Sequence, residues 1–230
     1  NAWYERWKSA GMYNLKTNLV SIDAEQLERA VLIRTEHSYS NHFQILFKSS
    51  KIYRIDANGT MTVTVDVSLA QGIPFPARIG LTCHLADQIT DVSYTGLGPF
   101  ENYPDRQSAA QYGHWQMELD DLYTPYIFPS ENGSRGQVSQ LEFGKQKISA
   151  YHEQNFSFNL SRFSKQQLAR VSHRNLLQAE NGVWLSIDGY RMGVGGDDSW
   201  SPSVAPEYLL SNNYYHYAFQ WRRKDIQGKY

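Results

Sequence analysis

Alternation with a period of two is what most restricts the folds open to this chain. Thr60 to Val67 alternates Thr, Val and Asp, giving a strand with one wet face. Comparable runs recur at Ala30 to His37, Ile45 to Phe47, Ile52 to Ile55, Arg78 to Leu85, Val92 to Tyr94, Gln137 to Phe143, Phe156 to Leu160, Val183 to Asp188 and Tyr214 to Trp221. Asp56-Ala57-Asn58-Gly59 sits between two of them and reads as a hairpin turn. Many short strands and few helices predict an all-β fold, one antiparallel two-sheet sandwich.

Two short helices interrupt that pattern. Trp3 and Trp7 stand four residues apart, so both indoles fall on one helical face, and Gly11 supplies a stop. Ser164 is placed to cap a helix from Lys165 to Val171. Between them, Gly96 to Gly136 is dense in Pro, Gly, Asn and Tyr and reads as one long turn-rich connection. Connections of that length are usually functional or firmly tied down.

A net charge of -1 argues against nucleic acid as a partner, because phosphate binding needs a basic surface. No apolar run approaches the roughly 18 residues of a membrane span. The lone cysteine, Cys83, lies in an alternating strand and reads as a buried, inert thiol, pointing to an intracellular protein. The seven histidines show no zinc-ligand spacing, and no loop follows the calcium-binding pattern.

Chemistry concentrates in Gly193-Val194-Gly195-Gly196-Asp197-Asp198-Ser199-Trp200-Ser201-Pro202. The glycines allow backbone angles closed to other residues, and Pro202 fixes φ just past the tryptophan. Asp197, Asp198 and Ser199 can bond local amides and brace a tight loop. Trp200 then offers a flat apolar face to the axial C–H groups of a sugar ring, beside carboxylates suited to its hydroxyls. The alternative is a turn whose indole folds back over a sheet edge. Glu101, Asp105 and Glu131 also sit in rigid loops, and a retaining glycosidase needs two carboxyls ~5 Å apart. Each has a plainer role: Glu101 and Arg106 bonding within their own loop, Glu131 in a turn with Asn132-Gly133.

Gly195 to Val204 resembles the C-terminal signature of the large β-galactosidases, multidomain glycoside hydrolases of family 2. Gly96-Leu97-Gly98-Pro99-Phe100-Glu101-Asn102-Tyr103-Pro104-Asp105-Arg106 and Thr124 to Gly133 match in the same order, as do Asn1 to Lys8 and Ser172 to Leu177. The likeness covers essentially the whole chain. It implies a large supersandwich of the galactose mutarotase type, with residues 1–230 forming a C-terminal domain truncated at its N-terminus, its upstream strands and the catalytic barrel absent. Uncovered edges would then favour self-association.

The resemblance also implies no catalytic residue here, and a substrate-binding Trp200 held by Gly195, Gly196, Asp197, Asp198, Ser199 and Pro202. The ligand would be a terminal β-galactoside such as lactose, and the partner the barrel of the same polypeptide. The parent would be a cytoplasmic, retaining enzyme, homo-oligomeric, using magnesium and sodium, with no cofactor or metal in this fragment. A monovalent site at the carbonyls near Phe128, Pro129 and Leu168 belongs to the same set. Two other readings stay open: a stand-alone galactose-binding module, and an aldose mutarotase using His114 or His173 with Glu131.

Overall fold

The computed structural model describes residues 3–86, 88–198, 200–201 and 204–225. Among these residues thirteen strands carry the fold. They are β1 (Lys16–Gln26), β2 (Ala30–Ser40), β3 (Ile45–Asp56), β4 (Met61–Leu69), β5 (Arg78–Leu85), β6 (Asp91–Gly98) and β7 (Gln111–Glu118), followed by β8 (Arg135–Val138), β9 (Gln140–Phe143), β10 (Gln146–Ala150), β11 (Phe156–Ser161), β12 (Val183–Arg191) and β13 (Tyr214–Arg223). Nine form a sheet in the order β1-β2-β3-β4-β13-β10-β9-β6-β7, and four form a second, β5-β12-β11-β8. Every described pairing is antiparallel, so the all-β, two-sheet expectation holds.

Apolar residues from both inner faces make one core. Val63 and Val65 of β4, Tyr215, Tyr217 and Phe219 of β13, and Tyr94 of β6 meet Phe158 of β11 and Leu185 and Ile187 of β12. Phe158 packs its ring edge-to-face on Tyr94 at 5.2 Å, and Tyr190 does the same on Tyr215 at 4.9 Å. The sheets approach closely at Gly189, where a β-carbon would lie 2.3 Å from Cγ of Tyr217. Glycine is the residue that fits there.

The helices are short, as the sequence suggests. In α1 (Trp3–Ser9) the two indoles stack at 6.1 Å, and Trp7 Nε1 donates to the carbonyl of Phe75. In α2 (Lys165–Arg170) the Ser164 hydroxyl accepts from the amide of Gln167, the expected cap.

Several expectations change. Gln137 to Phe143, expected as one strand, divides between β8 and β9, which lie in different sheets. Residues 45–56 form one continuous strand, where the sequence suggested two. The middle segment contains β7 and a 3-10 turn at Leu119–Leu122, so 96–136 is not a structureless connection. The strand is hard to see because Gln111, Gly113, His114 and Gln116 dilute its alternation. Cys83 is half-buried rather than buried, although burial still pushes its thiol up and away from the reactive thiolate.

Candidate functional site

Three connections are tied together beside the sandwich: 99–106 after β6, 123–134 before β8, and 192–198 after β12. Each is polar backbone without a sheet partner, and each is tied to the next by side chains that reach across long sequence gaps.

The carboxylate of Asp105 accepts the amides of Val194 (3.0 Å) and Gly195 (2.7 Å). Arg106 donates to the carbonyl of Gly195 and to Asp197 Oδ1, the latter at 2.9 Å. An Asp-Arg pair in one loop thus takes both the donors and the acceptors of the other. Gly195 and Gly196 adopt φ of +67° and +88°, conformations that side chains resist. Gly193 has a different reason: a β-carbon there would stand 2.5 Å from Asp105 Oδ2. Gly193→Ala must push that carboxylate off its two amides. We expect a loss of about 1–3 kcal/mol in urea unfolding of the chain. A midpoint equal to the wild type would show Asp105 free to move aside without cost.

Further along, Asp198 closes a small turn. Its Oδ1 accepts the amides of Trp200 (2.8 Å) and Ser201 (2.7 Å), while Oδ2 accepts the Ser201 hydroxyl (2.8 Å). Those amide donors, the Ser201 amide foremost, hold the Asp198 carboxyl below its usual range. The indole of Trp200 is 91% exposed, so it neither covers a sheet edge nor plugs the core. Ser199 and Pro202 lie outside the described residues.

The base of the site is a chain of charges. Arg78 Nη1 stands 3.8 Å from Asp188 Oδ2, and Arg191 Nη1 stands 3.4 Å from the same oxygen. Arg191 Nη2 bonds Glu131 Oε1 at 2.8 Å, and Lys165 Nζ lies 3.5 Å from Glu131 Oε2. The side chains of Asp188 and Arg191 are almost wholly buried. Burial pushes the Asp188 carboxyl up against the pull of Arg78 and Arg191. Burial also opposes the charge on Arg191, but Asp188 and then Glu131 overcome it and hold the guanidinium protonated. The guanidinium lies over the ring of Tyr103, 5.2 Å from its centroid.

Glu101 completes the assembly by accepting from Tyr126 Oη, from the amide of Gly133 (2.7 Å) and, more loosely, from Tyr103 Oη (3.4 Å). Its hydrogen bond, ahead of burial, pushes the Tyr126 phenol up to about 12.

This corrects the expected local bonding. Glu101 and Arg106 tie their loop mainly to other loops, and Glu131 anchors an arginine of β12 rather than serving only a turn. Asp105 and Arg106 were missed as supports of the Trp200 loop, and Asp188 and Arg191 as the charges that hold the neighbouring loops through Glu131 and Tyr103. Only the crowding of Asp105 and Arg106 into a Pro-rich loop hinted at it. Among the described residues no group of three or more His, Cys, Asp or Glu is gathered so as to hold a metal ion. Nor does any helix of them have the length and apolarity to cross a membrane.

The loops therefore form a braced platform. Phe100, Ile127, Phe128 and Val194 stand exposed on them besides Trp200.

Known proteins place this architecture. A β-galactosidase from Oenococcus oeni is 99% identical over 226 residues, which are 98% of this chain and 22% of that protein. One from Pectobacterium atrosepticum is 56% identical over 217 residues, 94% of the chain and 20% of the relative. The chain thus spans about a fifth of the length of these relatives. Among solved structures, a GalM/aldose epimerase homologue from C. elegans overlaps 87% of the chain and 67% of its own length. Its identity is 10% and its TM-score 0.43, too loose a likeness to carry an argument. The family model described as the β-galactosidase small chain matches residues 1–221. This chain belongs to the β-galactosidase small chain family.

Proposed function

We propose that the chain is the C-terminal domain of a β-galactosidase and that its braced loops complete the mouth of an active site built elsewhere in the longer protein. Trp200 is the platform on which the galactose ring of the incoming substrate rests. The observation that carries this reading is the indole's 91% exposure on a loop fixed at both ends, by Asp105 and Arg106 on one side and Asp198 on the other. Leaving a large aromatic in water forgoes burial of a large apolar surface, and the loop's bracing holds it there. Stacking one sugar face on it is worth on the order of 1–3 kcal/mol.

Hydrolysis then belongs to the whole enzyme, with its two glutamates on a barrel domain that meets the exposed apolar loop tips. Magnesium, sodium and oligomeric contacts belong to that cytoplasmic parent, a monovalent ion near Phe128, Pro129 and Leu168 included. Asp197, Asp198 and the two left-handed glycines shape the loop without touching the reacting atoms.

The test is Trp200→Ala in the full-length enzyme. KM for a terminal β-galactoside such as lactose should rise about tenfold, which is ~1.4 kcal/mol, with a smaller change in kcat. The platform holds the sugar as it arrives and has no reason to grip the transition state better. Trp200→Phe should recover part of the loss. Unchanged KM in an enzyme with an unchanged melting temperature would end the sugar-platform reading.

A further inference from the structure

Three Asn-Gly pairs occur in the chain: Asn58-Gly59, Asn132-Gly133 and Asn181-Gly182. Such a pair can modify itself, because no side chain on the glycine hinders attack of its amide nitrogen on the asparagine carboxamide. The attack needs a glycine amide able to give up its proton and a carboxamide able to turn back on it. The fold treats the three pairs differently on both counts.

At Asn132 every group is held. The residue is 4% exposed, its Oδ1 accepts the amide of Thr124 at 3.3 Å, and its Nδ2 donates to the carbonyl of Ser130 at 2.8 Å. The Gly133 amide donates to Glu101 Oε2 at 2.7 Å, a bond strengthened by the charge on its acceptor. Asn58 lies in the turn between β3 and β4. Its Oδ1 accepts the Thr60 amide at 2.9 Å, and the Gly59 amide donates to the carbonyl of Asp56 at 2.8 Å.

Asn181 is the exception. It is exposed, and residues 177–182 form neither helix nor strand. Among the described residues no hydrogen bond engages its carboxamide or the Gly182 amide. Its neighbours hold the backbone on both sides. The Glu180 amide donates to the carbonyl of Arg162 at 3.1 Å, and Trp184 Nε1 donates to Glu180 Oε2 at 2.8 Å.

One group does reach the pair. His84 of β5 packs on Trp184 of β12, ring centroids 4.7 Å apart, and its Nε2 stands 2.8 Å from the backbone oxygen of Asn181. A carbonyl oxygen can only accept, so Nε2 is the donor. That oxygen belongs to the same peptide group as the Gly182 nitrogen. When the nitrogen loses its proton, charge spreads onto the oxygen, where the His84 donor already stands.

We propose that Asn181 is a self-modification site, at which the Gly182 amide nitrogen attacks the Asn181 carboxamide with His84 stabilising the peptide anion. The Gly182 nitrogen gives its proton to hydroxide and bonds to Cγ of Asn181. The side-chain nitrogen leaves as ammonia and a succinimide ring remains. Water opens the ring at either carbonyl, leaving aspartate or an isoaspartyl link. The sum is one water consumed and one ammonia released, with no oxidant or cofactor. Either product sets a second carboxylate beside Glu180. The isoaspartyl link also lengthens the backbone where it enters β12, the strand that carries Asp188 and Arg191.

The test uses the full-length Oenococcus oeni protein, 99% identical across the span, aged in mildly alkaline buffer and mapped by peptide mass spectrometry. Short synthetic peptides around each pair give the rates without the fold. The asparagine matching Asn181 should convert at least as fast as in its peptide. Those matching Asn58 and Asn132 should convert at least about tenfold more slowly than in theirs, since their glycine amides must first be released. His84→Phe keeps a ring on Trp184 and removes the donor, and should slow conversion at Asn181 roughly three- to tenfold. His84→Gln, which can still donate, should recover part of that rate. General loosening would speed the reaction, so an unchanged or faster rate in His84→Phe would overturn the role of His84. Conversion at Asn181 slower than in its peptide, or slower than at Asn58 or Asn132, would overturn the site. No residue or readout is shared with the sugar platform.

Discussion

Asp188→Ala is expected to lower the unfolding free energy by about 3–5 kcal/mol, the cost of breaking a buried ion pair from one side. Asp188 is 1% exposed and stands between Arg78 and Arg191. Removing it leaves two guanidiniums facing each other across a cavity, with Glu131 alone to balance Arg191. Asp188→Asn separates charge from shape. If the negative charge is what matters, Asn should lose most of what Ala loses; if filling the space matters, Asn should stay within ~1 kcal/mol of the wild type. Urea unfolding of the three proteins decides between them. The loss should also reach the loops, because Arg191 holds Glu131 and lies over Tyr103. A folded Asp188→Ala protein with wild-type stability would show that this charge chain carries no weight in the fold.

Local pattern made most strands legible. Thr60 to Val67 alternates because one face of β4 meets the core and the other does not, and Ser164 declares itself as a cap by type and place. β1 went unassigned for a physical reason. Its inner face carries Thr17, Leu19, Ile22 and Ala24, a weak apolar signal broken by a bulge between Leu19 and Ser21. That bulge shifts the alternation by one residue, and a period-two template loses count there. β7 was hidden by its polar and glycine content, which an edge strand tolerates.

The site divides the same way. The turn at Asp198 and the left-handed glycines are local, and residue type alone pointed to them. Contacts spanning some ninety residues, such as Asp105 with Gly195, have no local signature. A carboxylate that bonds its own loop and one that bonds another loop look alike in sequence, so Glu101 was assigned the nearer partners. Burial of Asp188 is also non-local, because β12 shows Asp in a strand without showing which face is covered. Where Trp200 points follows from both kinds of contact, and sequence supplies only the first.

Phe158→Ala is expected to cost about 3–5 kcal/mol, the range for truncating a buried aromatic. The ring is fully buried and lies between the sheets, edge-on to Tyr94 at 5.2 Å. Its strand leaves little room for collapse: Phe158 is in register with Ile187 of β12 and with Arg135 of β8. Arg135 in turn donates to the carbonyls of Pro99 (2.9 Å) and Ser134 (3.3 Å), so the backbone beside the cavity is fixed by the loops above it. A site that cannot relax keeps its void, and the cost rises with the void that remains. Phe158→Leu should lose less, roughly 1–2 kcal/mol, since most of the volume survives and only the edge-to-face contact is gone. Denaturant midpoints measured at constant slope give both numbers. If Phe158→Ala falls no further than Phe158→Leu, the two sheets must close over the cavity. The clearance at Gly189, where a β-carbon would already strike the Tyr217 ring, argues that they do not.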